Sequence, residues 1–175
     1  MDHLIIFGAQ YLIFIVAILA VAHWFISIDR KDKIRLVATV VIGLIVATII
    51  AKVASKLYYD PRPFVKSGVK PLFPHAPDNG FPSDHTYLAA TTAVAYFFYR
   101  RNFGVALFVL AVLVGICRVA AHVHSPIDIA GGLVVGAVGA TVGYYAVSRY
   151  WPNQPQKRPE HDKTMSSKNQ TKDTD

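Results

Sequence analysis

Residues 103–147 read FGVALFVLAVLVGICRVAAHVHSPIDIAGGLVVGAVGATVGYYAV, two apolar runs meeting at a polar corner, CRVAAHVHSPID, between Cys117 and Asp128. As helices rising about 1.5 Å per residue, each run is long enough to cross roughly 30 Å of hydrocarbon. The corner therefore places Arg118, His124 and Asp128 at the join of two membrane spans. An ionisable side chain at mid-bilayer costs from about 2.5 to more than 10 kcal/mol, so three of them within one short stretch mark a site.

Three more spans follow from the same criterion. Leu4–Ile28 holds no Lys, Arg, Asp or Glu, and Leu36–Ala54 is interrupted only by Lys52. Met1-Asp2-His3 lacks the positive region of a signal peptide, and the apolar run behind it is too long for one, so Leu4–Ile28 is read as a span. His85–Tyr99 is short for a crossing, so its start is expected below the lipid boundary. In the fifth span, Ile127–Val147, Gly132/Gly136 and Gly139/Gly143 recur at four-residue spacing, which lets helix backbones approach closely. Packing within the bundle is the favoured use of that spacing over a dimer interface.

Between Ser55 and Asp84 lie six prolines, Gly68 and Asn79-Gly80, the composition of an irregular loop. Phe64, Leu72, Phe73 and Phe81 argue that it packs at the membrane surface. Residues 151–175 are rich in Pro, Gln, Lys and Ser and are expected to form a disordered cytoplasmic tail behind a membrane domain over 1–150.

The net charge of +7 raises nucleic acid as a partner, and the placement of the basic residues excludes it. Of 18 Lys and Arg, four fall in Arg30–Arg35, two at Arg100-Arg101 and six after Ser148. That is segregation by loop, as the positive-inside rule expects, and no continuous basic face with aromatics exists. The expected architecture is an all-α, polytopic membrane helical bundle of about five transmembrane helices, N-terminus out and C-terminus in. Three polar islands then share the outer face: Asp60-Pro61-Arg62-Pro63, Pro82-Ser83-Asp84-His85 and the 117–128 corner. The single cysteine, Cys117, excludes an internal disulfide and a thiolate metal cluster.

If the islands converge, Arg62 and Arg118 supply planar paired donors for a phosphate, with Ser83 and the helix N-terminus behind it as further donors. His85 and His124 can then divide phosphoryl transfer, one attacking phosphorus and the other protonating the leaving oxygen. Asp128, four residues after His124, can orient that ring. A metal-dependent hydrolase would need clustered carboxylates, and no Glu precedes Glu160. Taken singly, the residues have plainer readings. Ser125-Pro126-Ile127-Asp128 fits a capping box, Ser83 or Asp84 fits a helix cap, Arg118 can snorkel, and His122 fits a structural or rim place.

The three islands resemble the tripartite signature of the type 2 phosphatidic acid phosphatase superfamily, which also contains vanadium haloperoxidases. Arg62-Pro63 matches the first block, Pro82-Ser83 with His85 the second, and Arg118, His124 and Asp128 the third. Three positions depart: Lys56 stands one residue closer to Arg62 than the pattern asks, Asp84 replaces Gly, and Cys117 replaces Ser. YYDPRPFV with FPSDHT is similar to the bacitracin-resistance type undecaprenyl-pyrophosphate phosphatases. The resemblance implies His124 as nucleophile, His85 as acid and later base, Asp128 as orienter, and Arg62, Ser83 and Arg118 as phosphate ligands, with Lys56 a further candidate. It implies neither metal nor cofactor. The implied partners are a polyprenyl pyrophosphate lipid and the bilayer, in a bacterial inner membrane with the site facing outward; the oligomeric state is open. Phosphatidic acid or phosphatidylglycerol phosphate remain alternative substrates, and a non-catalytic phospholipid-binding or transport protein is the alternative class.

Overall fold

The computed structural model describes residues 1–151, so the expected tail lies outside the described residues beyond Trp151. Every regular element among them is helical: α1 Asp2–Gln10, α2 Leu12–Ser27, α3 Arg30–Leu57, α4 Pro63–Ser67, α5 Asp84–Tyr99, α6 Arg101–Ala120 and α7 Pro126–Tyr150. α3, α6 and α7 are long and apolar enough to cross a membrane, and α1 with α2 make a fourth if that bent pair is one span. α5, with 16 residues, spans about 24 Å and falls short of a crossing. It lies at the centre, its buried Ala89, Ala90, Ala93 and Ala95 letting α6 and α7 close around it.

The run expected as one continuous first span is bent by 50° at Tyr11, with no proline to bend it. A side chain from another helix reaches the helical ladder just before the bend. Arg118 on α6 donates from Nη1 to the carbonyl of Ala9 at 3.1 Å. Gly8 allows this approach, since a Cβ there would lie 2.4 Å from the sulfur of Cys117.

α7 packs into the groove between α3 and α5 along the two glycine pairs. A Cβ on Gly136 would meet the Tyr87 carbonyl of α5 at 2.6 Å, and one on Gly139 the Gly43 carbonyl of α3 at 2.5 Å. The four-residue spacing is therefore used inside the bundle. Gly139→Val should force α3 and α7 apart at a cost of about 1–3 kcal/mol, read as a lowered unfolding temperature in detergent. An unchanged transition would mean that this interface is not tight.

Two ends result. At one, Arg100 pairs with Asp29 at 2.7 Å, and the Trp24 indole donates to the Lys33 carbonyl at 3.1 Å. At the other, the 58–83 segment folds over the ends of α3, α5, α6 and α7. It is more ordered than its composition indicates, holding α4 and an isolated bridge between Pro61 and Asn79. Leu72 N–H donates to Ala121 at 3.2 Å, and Phe73 is buried with Ala9, Ala121 and Val123. Asn79 ties the segment to α3, its amide donating to the carbonyls of Ser55 and Tyr58 at 2.8 and 3.0 Å.

The 117–128 corner closes α6 by a left-handed residue, His122, at φ 62°. His122 N–H reaches Val119 at 2.9 Å and Val123 N–H reaches Arg118 at 3.2 Å, the paired bonds of a Schellman turn. His122 itself is exposed, which fits its rim reading.

Candidate active site

The site is built on the first turn of α7. Ser125 is its N-cap, Pro126 occupies the first turn and Asp128 closes a capping box. The capping and orienting readings of Asp128 coexist, because its Oδ2 accepts both from the Ser125 amide at 2.8 Å and from His124 Nδ1 at 3.1 Å. Asp128 is wholly buried.

On the far side of the imidazole, Arg62 Nη1 and Arg118 Nη2 each stand 3.2 Å from His124 Nε2. A guanidinium can only donate, so Nε2 is the acceptor, and the ring proton lies on Nδ1 facing Asp128. The lone pair of the candidate nucleophile thus points between two cations. Burial, more than any other influence, pushes the imidazole below its ordinary 6.5; the charges of Arg118 and Arg62 act the same way, and the Asp128 bond offsets them only in part. His124 is consequently neutral at neutral pH.

Each arginine is held from behind. Arg62 donates from Nε to Asp78 at 2.7 Å and from Nη1 to the Val123 carbonyl at 2.7 Å. Arg118 donates to Ala9, as above, and from Nη2 to His75 Nε2 at 3.0 Å. The Nε of Arg118 is buried without a hydrogen-bond partner. A buried donor left idle costs about 1–3 kcal/mol.

Ser83 is buried at the N-cap of α5, yet its hydroxyl does not cap the helix; it accepts from Thr86 Oγ1 at 3.0 Å. Its amide donates to the Asp128 carbonyl at 3.1 Å, joining the second block to the third. The first helical bond of α5 runs from Tyr87 N–H to Ser83, so the amides of Asp84, His85 and Thr86 precede the ladder, the usual makings of an anion cradle. His85 has Arg118, His124 and His75 within electrostatic reach. Lys56 is exposed rather than inside the cluster, and with Lys52 and Asp84 it lines a cavity of about 610 Å³ that His124 and Arg62 also border.

Three contributions have no counterpart in the expected site. His75 reaches Arg118, and Asp78 holds Arg62. Asp60, buried, accepts from the Ser125 hydroxyl at 2.6 Å and pairs with Lys66. The pull of Lys66 and Ser125 keeps Asp60 below the usual carboxylate range although burial acts to raise it. Its only signal in sequence was its place beside Arg62. No group of three or more His, Cys, Asp or Glu side chains placed to hold a metal occurs among the described residues.

Residues 34–152 match the PAP2 superfamily. The chain is 35% identical over 140 residues to undecaprenyl-diphosphatase BcrC of Bacillus subtilis (strain 168), covering 79% of this chain and 70% of that one. It is 32% identical over 151 residues to the bacitracin transport permease protein BcrC of Bacillus licheniformis, covering 85% and 73%. Its fold is similar to the crystal structure of LpxE from Aquifex aeolicus, with a TM-score of 0.63, 25% identity and 82% of each chain covered.

Proposed function

The chain belongs to the PAP2 superfamily, and from that premise we propose that it removes the terminal phosphate of undecaprenyl pyrophosphate at the outer face of a bacterial inner membrane. The observation that carries the reading is the single lone pair of His124 Nε2, aimed between two guanidiniums while Nδ1–H rests on Asp128. The substrate assignment draws on the resemblance to undecaprenyl-diphosphatase BcrC.

In this mechanism Arg62, Arg118 and Ser83 take the oxygens of the terminal phosphoryl group, and the idle Arg118 Nε gains a partner. His124 Nε2 attacks phosphorus as the bond to the bridging oxygen breaks. His85 gives its proton to the departing undecaprenyl phosphate. The ring now carries positive charge, which the Asp128 carboxylate stabilises. Water then attacks the phosphohistidine, His85 takes its proton, and inorganic phosphate leaves. No step calls for a metal ion.

Five spans with the N-terminus out also belong to this reading. α5 then begins below the lipid boundary, under the 58–83 cap, and the basic first turns of α3, Arg30–Arg35, and Arg100-Arg101 at the start of α6 face the cytoplasm. Lys56, at the rim of the cavity, serves a phosphate arriving from the bilayer.

Purified protein in detergent should release phosphate faster from undecaprenyl pyrophosphate than from phosphatidic acid or phosphatidylglycerol phosphate. The reverse ranking would transfer the same chemistry to another lipid phosphate and sink the pyrophosphate assignment.

A further inference from the structure

Arg62 and Arg118 bring two positive charges to one nitrogen, and without an anion between them they repel. Something must hold each in place, and the two holders differ in charge. Arg62 rests on the Asp78 carboxylate, 2.7 Å away. The hydrogen bond and charge of Arg62 keep Asp78 ionised, below its usual range although burial acts to raise it. Arg118 rests on two neutral acceptors, the Ala9 carbonyl and His75 Nε2. His75 accepts from a group that only donates, so its Nε2 is unprotonated and its ring is uncharged. Asp84 acts on Arg118 only through space, with no ion pair between them.

The Nδ1 of His75 is buried without a hydrogen-bond partner, and its ring lies near aromatic neighbours. The buried Phe73 ring stands 6.2 Å from it, and Leu72 is bonded to Ala121. Its ring meets that of His124 edge to face at 6.2 Å between centroids, so it borders the place where the phosphoryl group is transferred.

We propose that His75 is a positioning residue: it orients Arg118 toward the phosphoryl group while leaving that guanidinium's charge uncancelled. Arg62 reaches the phosphate with its charge balanced by Asp78, and Arg118 delivers net charge to it. The inference rests on the reading of Arg118 as a phosphate ligand and adds a residue outside the three signature blocks.

The test compares His75→Ala, His75→Gln and His75→Glu in the full-length protein, with orthovanadate as the probe and lipid hydrolysis as the second readout. A hydrogen bond to a charged group contributes about 1.5–3 kcal/mol, so His75→Ala should weaken vanadate inhibition and kcat/KM together by about ten- to a hundredfold. His75→Gln should restore both to within a few fold, because its amide oxygen accepts without charge. His75→Glu should not restore them, because it cancels the charge it orients. In an Arg118→Ala background, His75→Ala should cost nothing further. An unchanged vanadate affinity, failure of Gln to rescue, rescue by Glu, or additive losses with Arg118→Ala would each overturn the role. A wild type that neither hydrolyses lipid phosphates nor binds vanadate would overturn this role and the proposed function together. Active wild type with indifferent His75 variants would overturn this role alone.

Discussion

His124→Ala should abolish phosphate release, with a loss on the order of 10⁵-fold or more, the scale seen when a covalent nucleophile is removed. Binding should survive. The side chain is one of several groups bordering the cavity, and Arg62 and Arg118 keep their rear partners Asp78, Val123, Ala9 and His75. Removing the ring also removes the acceptor between the guanidiniums, so vanadate or inorganic phosphate should still bind. The measurement is turnover and radiolabelled lipid binding on the same preparation. A binding or transport protein, the function that the name of the Bacillus licheniformis relative describes, would show no turnover in the wild type and unaltered ligand retention in the variant. Persistent turnover in His124→Ala would remove this residue as nucleophile.

The second largest effect is expected at Asp128. Asp128→Ala removes the acceptor for His124 Nδ1 and strands the part-buried Ser125 amide, so the ring loses the bond that sets its orientation. A loss of about 10⁴-fold in kcat is the scale for an orienting carboxylate. Asp128→Asn should be milder. One oxygen, Oδ2, accepts both bonds, so an amide with its oxygen in that place keeps the tautomer and loses only the charge that supports the cationic ring. That loss should be about tenfold, from the difference between charged and neutral hydrogen bonds. Equal losses in both variants would mean that charge alone, and not ring orientation, is what Asp128 supplies. A wild-type rate in Asp128→Ala would exclude it from the mechanism.

The site was legible where its logic is local. His124 and Asp128 are four apart because the capping box of α7 and the orienting bond share one oxygen, and both leave a short-range pattern. Arg62, Ser83 and His85 were legible as polar islands expected on one face, and the resemblance added their blocks. Hidden were the groups that hold the arginines: the carbonyls of Ala9 and Val123 carry no side-chain signature, and Asp78 and His75 act on partners 16 and 43 residues away. The same physics hid the bend at Tyr11. No proline lies near it, and the arginine that takes the Ala9 carbonyl there is 109 positions from Ala9. The helical architecture was visible in the apolar runs and the packing of 58–83 in Phe64, Leu72, Phe73 and Phe81, whereas α4 and the Pro61–Asn79 bridge were not, because they depend on docking to other elements.

That docking also sets when the site comes into being. The 58–83 segment leaves the ribosome before any of its anchors in the corner: Ala121 for Leu72, Val123 for Arg62, Ser125 for Asp60 and Asp128 for Ser83. α7, which must slide into the groove between α3 and α5, is synthesised last among the described helices. A nascent chain therefore carries its first two signature blocks unassembled until α7 is in place. A truncation within α7 beyond Asp128 should yield a chain with every signature residue and no assembled site.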